Sequence, residues 1–263
     1  MLLFFDIDGT LIDDRRRLPA SVRPALEQAR KNGHRLFLNT GRTLCNMRDT
    51  RLAGLPFDGR VMGCGTRVEY RGETVRAMEI APERSAGLRN VFRELKLPAV
   101  YECDTAMYFD PEGAAHPAVA MFREFSEKNG TARDIRPGDP EFRIVKMFAF
   151  SGDPALIREM EERTAAFGIP YTAVDRGREG WEVIPAGYTK ATGMDEVCAL
   201  LGMDIRDTVA FGDSSNDADM LRHAGISVAM GNADDEVKAI CDIVADRPEK
   251  GGIRKVMEAL GLI

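Results

Sequence analysis

Residues 1–10 read MLLFFDIDGT, an apolar run that meets two acids abruptly. The run Leu2–Ile7 predicts a short buried β-strand. Alternation along an extended chain puts the side chains of Asp6 and Asp8 on the same side, and two neighbouring carboxylates need a cation or a shared proton. Gly9 lets the chain turn tightly after them. We therefore expect a charged site at the end of a buried strand.

A calcium-binding loop and a solvated turn are simpler interpretations of these acids. An EF-hand loop that starts at Asp6 needs glycine at its sixth position and glutamate at its twelfth. Leu11 and Arg17 stand at those positions, so the EF-hand is excluded. The solvated turn stays open from these residues alone.

Polar residues also stand at the ends of two further apolar runs and at the start of one predicted helix. Asn39–Arg42 follows the apolar run from Arg35, Lys190 opens a predicted helix, and Gly212–Asp217 follows the run Thr208–Phe211. Because the carboxyl ends of parallel strands form the crevice where ligands bind, these residues are candidates for one site. Carboxylates suit a hard divalent cation such as Mg²⁺, and Lys190 with Thr40 would hold a phosphate.

The order of predicted elements indicates two domains. Strands and helices alternate before about residue 81 and again from Thr189, which predicts an α/β core with a parallel sheet. Between them, helices alternate with paired strands, which indicates an α+β insertion. We predict a core formed by residues 1–81 and 186–263, and an inserted domain formed by residues 82–185.

Composition limits the functional classes. Acidic residues outnumber basic ones by 42 to 36, so the net charge is -6 and a nucleic-acid partner is not expected. No run approaches the ~18 apolar residues of a membrane span, and the apolar start lacks the features of a signal peptide. Five widely spaced cysteines without a CxxC pair argue against a zinc site and favour the reducing cytoplasm.

In this order, the polar stretches resemble the four motifs of the haloacid dehalogenase superfamily. The resemblance is strongest to its Cof-type sugar-phosphatase branch, which carries a large α/β cap between the second and third motifs. The tail Ala229–Ala233, followed by Val237-Lys238, is also similar to that branch. The matching stretches are Asp6-Ile7-Asp8-Gly9-Thr10, Thr40-Gly41-Arg42, Lys190 and Gly212-Asp213-Ser214-Ser215-Asn216-Asp217.

The resemblance implies a Rossmann-like, doubly wound parallel sheet with an inserted α+β cap. It also implies a cytoplasmic, Mg²⁺-dependent phosphatase that acts on a small phosphate ester, a sugar phosphate foremost, as a monomer or weak homodimer without a nucleic-acid or membrane partner. Asp6 would be the nucleophile and form an aspartyl-phosphate, and Asp8 would be the general acid and base.

The resemblance further assigns the remaining site residues. The Asp6 carboxylate, the Asp8 carbonyl and Asp213 would hold Mg²⁺, while Asp217 would orient a water of its coordination sphere. The phosphoryl oxygens would be bound by Thr40, the Gly41 N–H, Lys190 and Asn216.

The sequence differs from the usual pattern of the branch at two places, and two alternative functions are compatible with the motifs. Cys64-Gly65-Thr66 stands where the branch usually has Asn-Gly-Ala, and Ala191 stands where it has glycine; neither touches the reacting groups. In the insertion, Arg178 and Glu179 could face the substrate, whereas packing in the cap core is the preferred interpretation of Trp181. The other functions are a phosphomutase acting on hexose phosphates and a non-catalytic sensor of phosphorylated metabolites.

Overall fold

The structure, a computed structural model, describes residues 1–168 and 170–263. The strands, in chain order, are β1 (Leu2–Phe5), β2 (Arg35–Asn39), β3 (Gly59–Met62), β4 (Arg67–Tyr70), β5 (Glu73–Ala77), β6 (Ala99–Cys103), β7 (Met107–Phe109), β8 (Ala132–Asp134), β9 (Ile144–Phe150), β10 (Tyr171–Asp175), β11 (Gly180–Pro185), β12 (Thr208–Gly212), β13 (Ile226–Ala229) and β14 (Ile243–Val244). The α-helices are α1 (Val22–Lys31), α2 (Pro82–Glu94), α3 (Pro117–Lys128), α4 (Pro154–Ala165), α5 (Lys190–Leu201), α6 (Ala218–His223), α7 (Asp235–Ala239) and α8 (Gly252–Ala259).

Two compact units divide the chain. The first contains residues 1–41, 49–77 and 189–263, and the second contains residues 42–48 and 78–188. None of the helices in the described ranges combines the length and the apolar character that crossing a membrane requires.

The first unit contains a sheet with the strand order β14-β13-β12-β1-β2-β3-β4-β5. Neighbouring strands are parallel from β14 to β3, and β4 and β5 continue antiparallel. The chain runs outward from β1 to β3 on one side and from β12 to β14 on the other. The order therefore reverses between β1 and β12, which is where open α/β sheets bind ligands. The α/β fold class predicted from the sequence is confirmed.

Alternating side chains make the core of the first unit. Leu2 and Phe4 of β1 lie fully buried in one cluster with Met194 of α5 and Met220 of α6. Leu3 and Phe5 are also fully buried. Since consecutive strand residues point to opposite faces, their side chains lie on the other face of the sheet. Two aromatic rings stack beside the switch point, Phe5 on Phe211, with centroids 4.8 Å apart.

The second unit contains a sheet with the order β10-β11-β9-β6-β7-β8, antiparallel except for β7 and β8. One face packs against α2 and α4 through residues such as Phe92 and Met160. The other face packs partly against α3 through Phe122, and Cys45 joins the same cluster.

A buried polar network ties residues 42–48 to this second sheet. Thr43 Oγ1 and Asn46 Nδ2 donate to Glu102 Oε2 at 3.0 and 3.2 Å. Lys146 lies 3.4 Å from the other oxygen of Glu102 and also pairs with Glu182. Burial raises the pKa of Glu102, against the attraction of Lys146. The segment directly after Thr40-Gly41 therefore belongs to the second unit.

The helix α1 follows a serine whose side chain does not cap it. Ser21 is the N-cap of α1, but its side chain makes no capping hydrogen bond and its backbone is already helical, with φ -74° and ψ -20°. A capping hydroxyl needs an extended backbone to reach the N–H groups of the first turn, and the helical backbone at Ser21 does not provide it.

Candidate active site

Two aspartates flank the switch point of the first sheet. Asp6 follows β1 and its backbone N–H donates to the Phe211 carbonyl of β12 at 3.0 Å, while Asp213 follows β12 directly. Parallel pairing of Phe5 with Phe211 puts the two strand ends side by side. The aspartates therefore meet at the carboxyl edge of the sheet.

Lys190 connects this edge to the first turn of α5. Its Nζ lies 2.6 Å from Asp6 Oδ1 and 2.5 Å from Asp217 Oδ1, and its side chain is fully buried. A reciprocal capping box fixes the start of the helix: Thr192 N donates to Thr189 Oγ1 at 3.1 Å, and Thr189 N donates to Thr192 Oγ1 at 3.0 Å. Asn39 Nδ2 also donates to the Lys190 carbonyl at 3.0 Å.

Asp217 uses both carboxylate oxygens. Oδ1 accepts a hydrogen bond from Lys190 Nζ. Oδ2 accepts hydrogen bonds from the backbone N–H groups of Asp213 and Ser214, each at 3.0 Å. Gly212 makes this approach possible, because a Cβ there would lie 2.7 Å from the Asp217 side chain. Asp217 thus holds the turn that carries Asp213 while it neutralises part of the Lys190 charge.

Three carboxylates, those of Asp6, Asp213 and Asp217, surround the ammonium group of Lys190 in this cluster. Burial raises the pKa of Asp6 to about 7, and the charges of Asp217 and Asp8 act the same way, against the attraction of Lys190. Burial raises the pKa of Asp213 to about 8, with Asp6 and Asp217 adding to it. For Lys190, burial lowers the pKa, but the carboxylates of Asp217 and Asp6 outweigh it and raise that pKa above its ordinary value.

The donor set fits a hard divalent cation. Asp6, Asp213 and Asp217 each offer an oxygen, and these oxygens lie within 4.8 Å of one another. The hydroxyl of Thr10 donates to Asp213 Oδ1 at 2.7 Å and so orients this carboxylate. A divalent cation among them would favour the charged carboxylates and lower the raised pKa values.

Other predicted residues lie around this cluster. Asp8 stands in the turn after β1 with an exposed side chain, and its carboxylate is outside the group of converging oxygens. Thr40 is buried directly after β2, its N–H donating to the Val61 carbonyl at 2.9 Å, and Gly41 follows. Asn216 is half-buried, and its Oδ1 accepts the Ser214 hydroxyl at 2.8 Å.

The two departures from the family pattern lie next to these residues. Cys64 is buried with a positive φ of 55°, and its N–H donates to the Thr40 carbonyl at 3.1 Å. The left-handed conformation favours glycine or asparagine over a side chain such as cysteine. Ala191 is half-buried in the first turn of α5.

The residues predicted from the insertion all lie in the second unit. Arg178 and Glu179 are exposed and form a turn with positive φ values of 50° and 62°. Trp181 is half-buried, packs against the core of that unit, and donates its indole N–H to the Ser151 carbonyl at 2.8 Å.

The sequence did not point to Asn232 as a contact of the site. Asn232 Nδ2 donates to the Gly9 carbonyl at 2.9 Å, across 223 positions of sequence. Its only signal was the Ala229–Ala233 tail that resembles the Cof-type branch. The sequence analysis included Asn39 as the first residue of the stretch Asn39–Arg42, but it did not predict the contact with Lys190.

Comparisons with known proteins show the family to which the chain belongs. Residues 3–257 match the family model of the haloacid dehalogenase-like hydrolases. The putative phosphatase YkrA of Bacillus subtilis is 30% identical, with 100% of this chain and 98% of the relative covered. A phosphoglycolate phosphatase of Methanopyrus kandleri is 28% identical, with 98% and 97% covered.

Among solved structures, the subclass IIB sugar phosphatase BT4131 superposes with a TM-score of 0.81 at 27% identity, and the match covers 100% of this chain and 99% of that one. The aspartates and the buried lysine at the switch point form the candidate active site. The chain belongs to the haloacid dehalogenase-like hydrolases and is a phosphatase, a phosphoric monoester hydrolase.

Proposed function

We propose that the protein is a Mg²⁺-dependent phosphatase that hydrolyses a small phosphorylated metabolite, a sugar phosphate foremost, through an aspartyl-phosphate on Asp6. The observation that carries this proposal is the buried Lys190 between Asp6 and Asp217, with Asp213 beside them at the switch point. Phosphoryl transfer demands positioning and charge neutralisation above all, and this cluster supplies groups for both.

The metal would be held by the carboxylates of Asp6 and Asp213 and by the backbone carbonyl of Asp8, with Asp217 behind them. When bound, Mg²⁺ would neutralise negative charge on the transferring phosphoryl group. The hydrogen bond from Thr10 to Asp213 supports this assignment, since ligands of bound metals are commonly oriented by such partners.

Asp6 is the nucleophile of the first step. Lys190 binds Oδ1 of its carboxylate, which leaves Oδ2 for the new bond to phosphorus. As that bond forms, the bond from phosphorus to the substrate oxygen breaks, and Asp8 gives its proton to the departing alcohol. Acid catalysis of this kind contributes about 10²–10⁴-fold.

Water completes the reaction in the second step. Asp8, now a carboxylate, takes a proton from the water that attacks phosphorus, and the bond to Asp6 breaks. Inorganic phosphate leaves and both aspartates return to their starting states. Thr40, the Gly41 N–H, Asn216 and Lys190 would bind the phosphoryl oxygens in both steps.

The narrower substrate class draws on two kinds of support. The long segment of the second unit, residues 78–188, stands between the second and third motifs, as the cap of the Cof-type branch does. BT4131 is named a sugar phosphatase, whereas the Methanopyrus relative is named a phosphoglycolate phosphatase. A monomer or weak homodimer in the cytoplasm, without a nucleic-acid partner, remains part of the proposal.

Phosphate release tests this function. The wild-type protein should hydrolyse an aryl phosphate with added Mg²⁺, and EDTA and Asp6→Asn should each abolish turnover. A screen of sugar phosphates, phosphoglycolate, nucleotides, flavin mononucleotide and pyridoxal phosphate then ranks substrates by kcat/KM. Persistent turnover under both treatments would reject the mechanism, and phosphate transfer to a sugar hydroxyl faster than to water would indicate a mutase.

A further inference from the structure

Asn232 lies in a tight turn at the carboxyl end of β13. The turn closes through the Ala233 N–H, which donates to the Met230 carbonyl at 2.9 Å. The Met230 N–H donates to the Gly212 carbonyl at 2.9 Å, so this turn is anchored to the residue before Asp213. The position of the Asn232 backbone is therefore fixed relative to the acidic cluster.

The Asn232 side chain has an asymmetric environment. Its Nδ2 donates to the Gly9 carbonyl at 2.9 Å. Because a carbonyl only accepts hydrogen bonds, the amide nitrogen has to face it. The amide oxygen is buried and has no hydrogen-bond partner within residues 1–168 and 170–263. A buried acceptor without a partner costs free energy, and the hydrogen bond from Nδ2 to Gly9 has to offset this cost.

The peptide that Asn232 holds is in contact with Asp213. Gly9 has a φ of 85°, and a Cβ on it would lie 2.1 Å from Asp213 Oδ2. The next residue, Thr10, donates its hydroxyl to Asp213 Oδ1 at 2.7 Å. The carbonyl that Asn232 binds belongs to the peptide group that joins Gly9 to Thr10, and Thr10 orients the Asp213 carboxylate. Asp8 directly precedes Gly9 in the sequence.

We propose that Asn232 is a positioning residue of the phosphatase site, which holds the Gly9–Thr10 peptide so that Thr10 presents the Asp213 carboxylate to the cation. This inference rests on the proposed Mg²⁺-dependent function. Asn232 acts only through Gly9 and Thr10. Loss of its amide should therefore weaken cation binding even though no proposed ligand is removed.

The test measures Mg²⁺ binding to the full-length protein by titration calorimetry, together with thermal unfolding in EDTA. Asn232→Ala should weaken Mg²⁺ binding by about 10-fold or more, in the range that partners of metal ligands show. Asn32→Ala is the matched control, because Asn32 Nδ2 also donates to a distant carbonyl, that of Leu262, at 2.9 Å. It should leave Mg²⁺ binding unchanged.

A double-mutant cycle separates positioning from general damage. Thr10→Val removes the hydroxyl but keeps the side-chain shape, and it should weaken Mg²⁺ binding as Asn232→Ala does. Since both residues act through one peptide, the double variant should lose less than the product of the two single losses. Independent losses, or equal Mg²⁺ binding by Asn232→Ala and wild type, would overturn the inference.

Two further results keep the outcomes distinct. Should Asn232→Ala not fold, Asn232→Gln moves the same amide by one methylene and should also weaken Mg²⁺ binding; wild-type binding by that variant would overturn the inference. Wild-type protein that neither binds Mg²⁺ nor hydrolyses phosphate esters would reject the proposed function itself, whereas an active wild type with an unaffected Asn232→Ala rejects the positioning role alone.

Discussion

Lys190 is the residue on which the charge balance of the site depends. It is fully buried between Asp6 and Asp217, and removal of one partner from a buried ion pair leaves uncompensated charge. Lys190→Met should therefore lower the free energy of unfolding by about 3–5 kcal/mol at neutral pH. Urea unfolding in EDTA measures this loss.

Lys255→Met is the matched control for this substitution. Lys255 pairs with Asp246 at 2.6 Å, but it lies on the surface, where such a pair contributes about 1 kcal/mol or less. Equal losses in the two variants would show that the buried cluster of Asp6, Asp217 and Lys190 carries no special charge compensation.

The sequence predicts the charged residues of the site better than the residues that hold them by hydrogen bonds. Asp6, Asp213 and Lys190 each stand at the end of a strand or the start of a helix, so a local pattern places them at one sheet edge. The hydrogen bonds of Asn232 to Gly9 and of Asn39 to Lys190 span 223 and 151 positions. No local pattern encodes such contacts, and the roles assigned to the site residues stay predictions.

At the level of elements, the start of α5 decides where Lys190 stands. Thr189→Ala removes the side-chain acceptor of the capping box and should cost about 1 kcal/mol of unfolding free energy. It should also reduce kcat, because Lys190 is the first residue of the helix. Chemical denaturation and steady-state kinetics measure the two effects.

Ser21→Ala serves as the control at the start of α1. Ser21 is an N-cap whose side chain makes no capping hydrogen bond, so the change should stay within about 0.5 kcal/mol. If Ser21→Ala costs as much as Thr189→Ala, the difference in capping geometry between the two helices is without consequence.

Most elements could be predicted because their apolar residues repeat with a clear period. The sequence pattern predicts a helix over residues 117–128 and a strand over residues 226–229. Both occur with these bounds, as α3 (Pro117–Lys128) and β13 (Ile226–Ala229). β8 was missed: Ala132–Asp134 is short and polar, and it joins the sheet by parallel pairing with β7. A short strand that forms because it pairs with a neighbouring strand has no clear pattern in its own residues, so the sequence does not predict it.

At the level of the whole molecule, the raised pKa values couple stability to pH. Burial raises the pKa of Asp6 to about 7 and of Asp213 to about 8, so the folded protein binds protons that the unfolded chain has released. Unfolding free energy should therefore fall as pH rises through about 6.5 to 8. His34, whose pKa burial lowers, gives the opposite slope only below about pH 6.5.

Thermal unfolding across this pH range tests the coupling. In EDTA, Tm should fall from about pH 6.5 to 8, and the increase in Tm on adding Mg²⁺ should grow over the same range, because the cation compensates the carboxylates as they ionise. Asp213→Asn should reduce both trends. A Mg²⁺ effect that is independent of pH would contradict the charge assignment.

The two compact units and the predicted domains have different bounds. The predicted insertion, residues 82–185, lies within the long segment of the second unit, but residues 42–48 also belong to that unit. Thr43 and Asn46 of this segment donate hydrogen bonds to Glu102 of the second sheet. Nothing in the local sequence of the segment indicates that partner.

The covalent bond between Asp6 and phosphorus is the central claim, and burst kinetics with 4-nitrophenyl phosphate test it most directly. Nitrophenolate leaves without an acid, so Asp8→Asn should form the intermediate but hydrolyse it slowly. The account predicts a burst of about one nitrophenolate per chain, with the phosphoryl group on the Asp6 peptide after acid quenching, and no burst in Asp6→Asn. Phosphate release by Asp8→Asn without a burst, or a phosphoryl group on another residue, would contradict it.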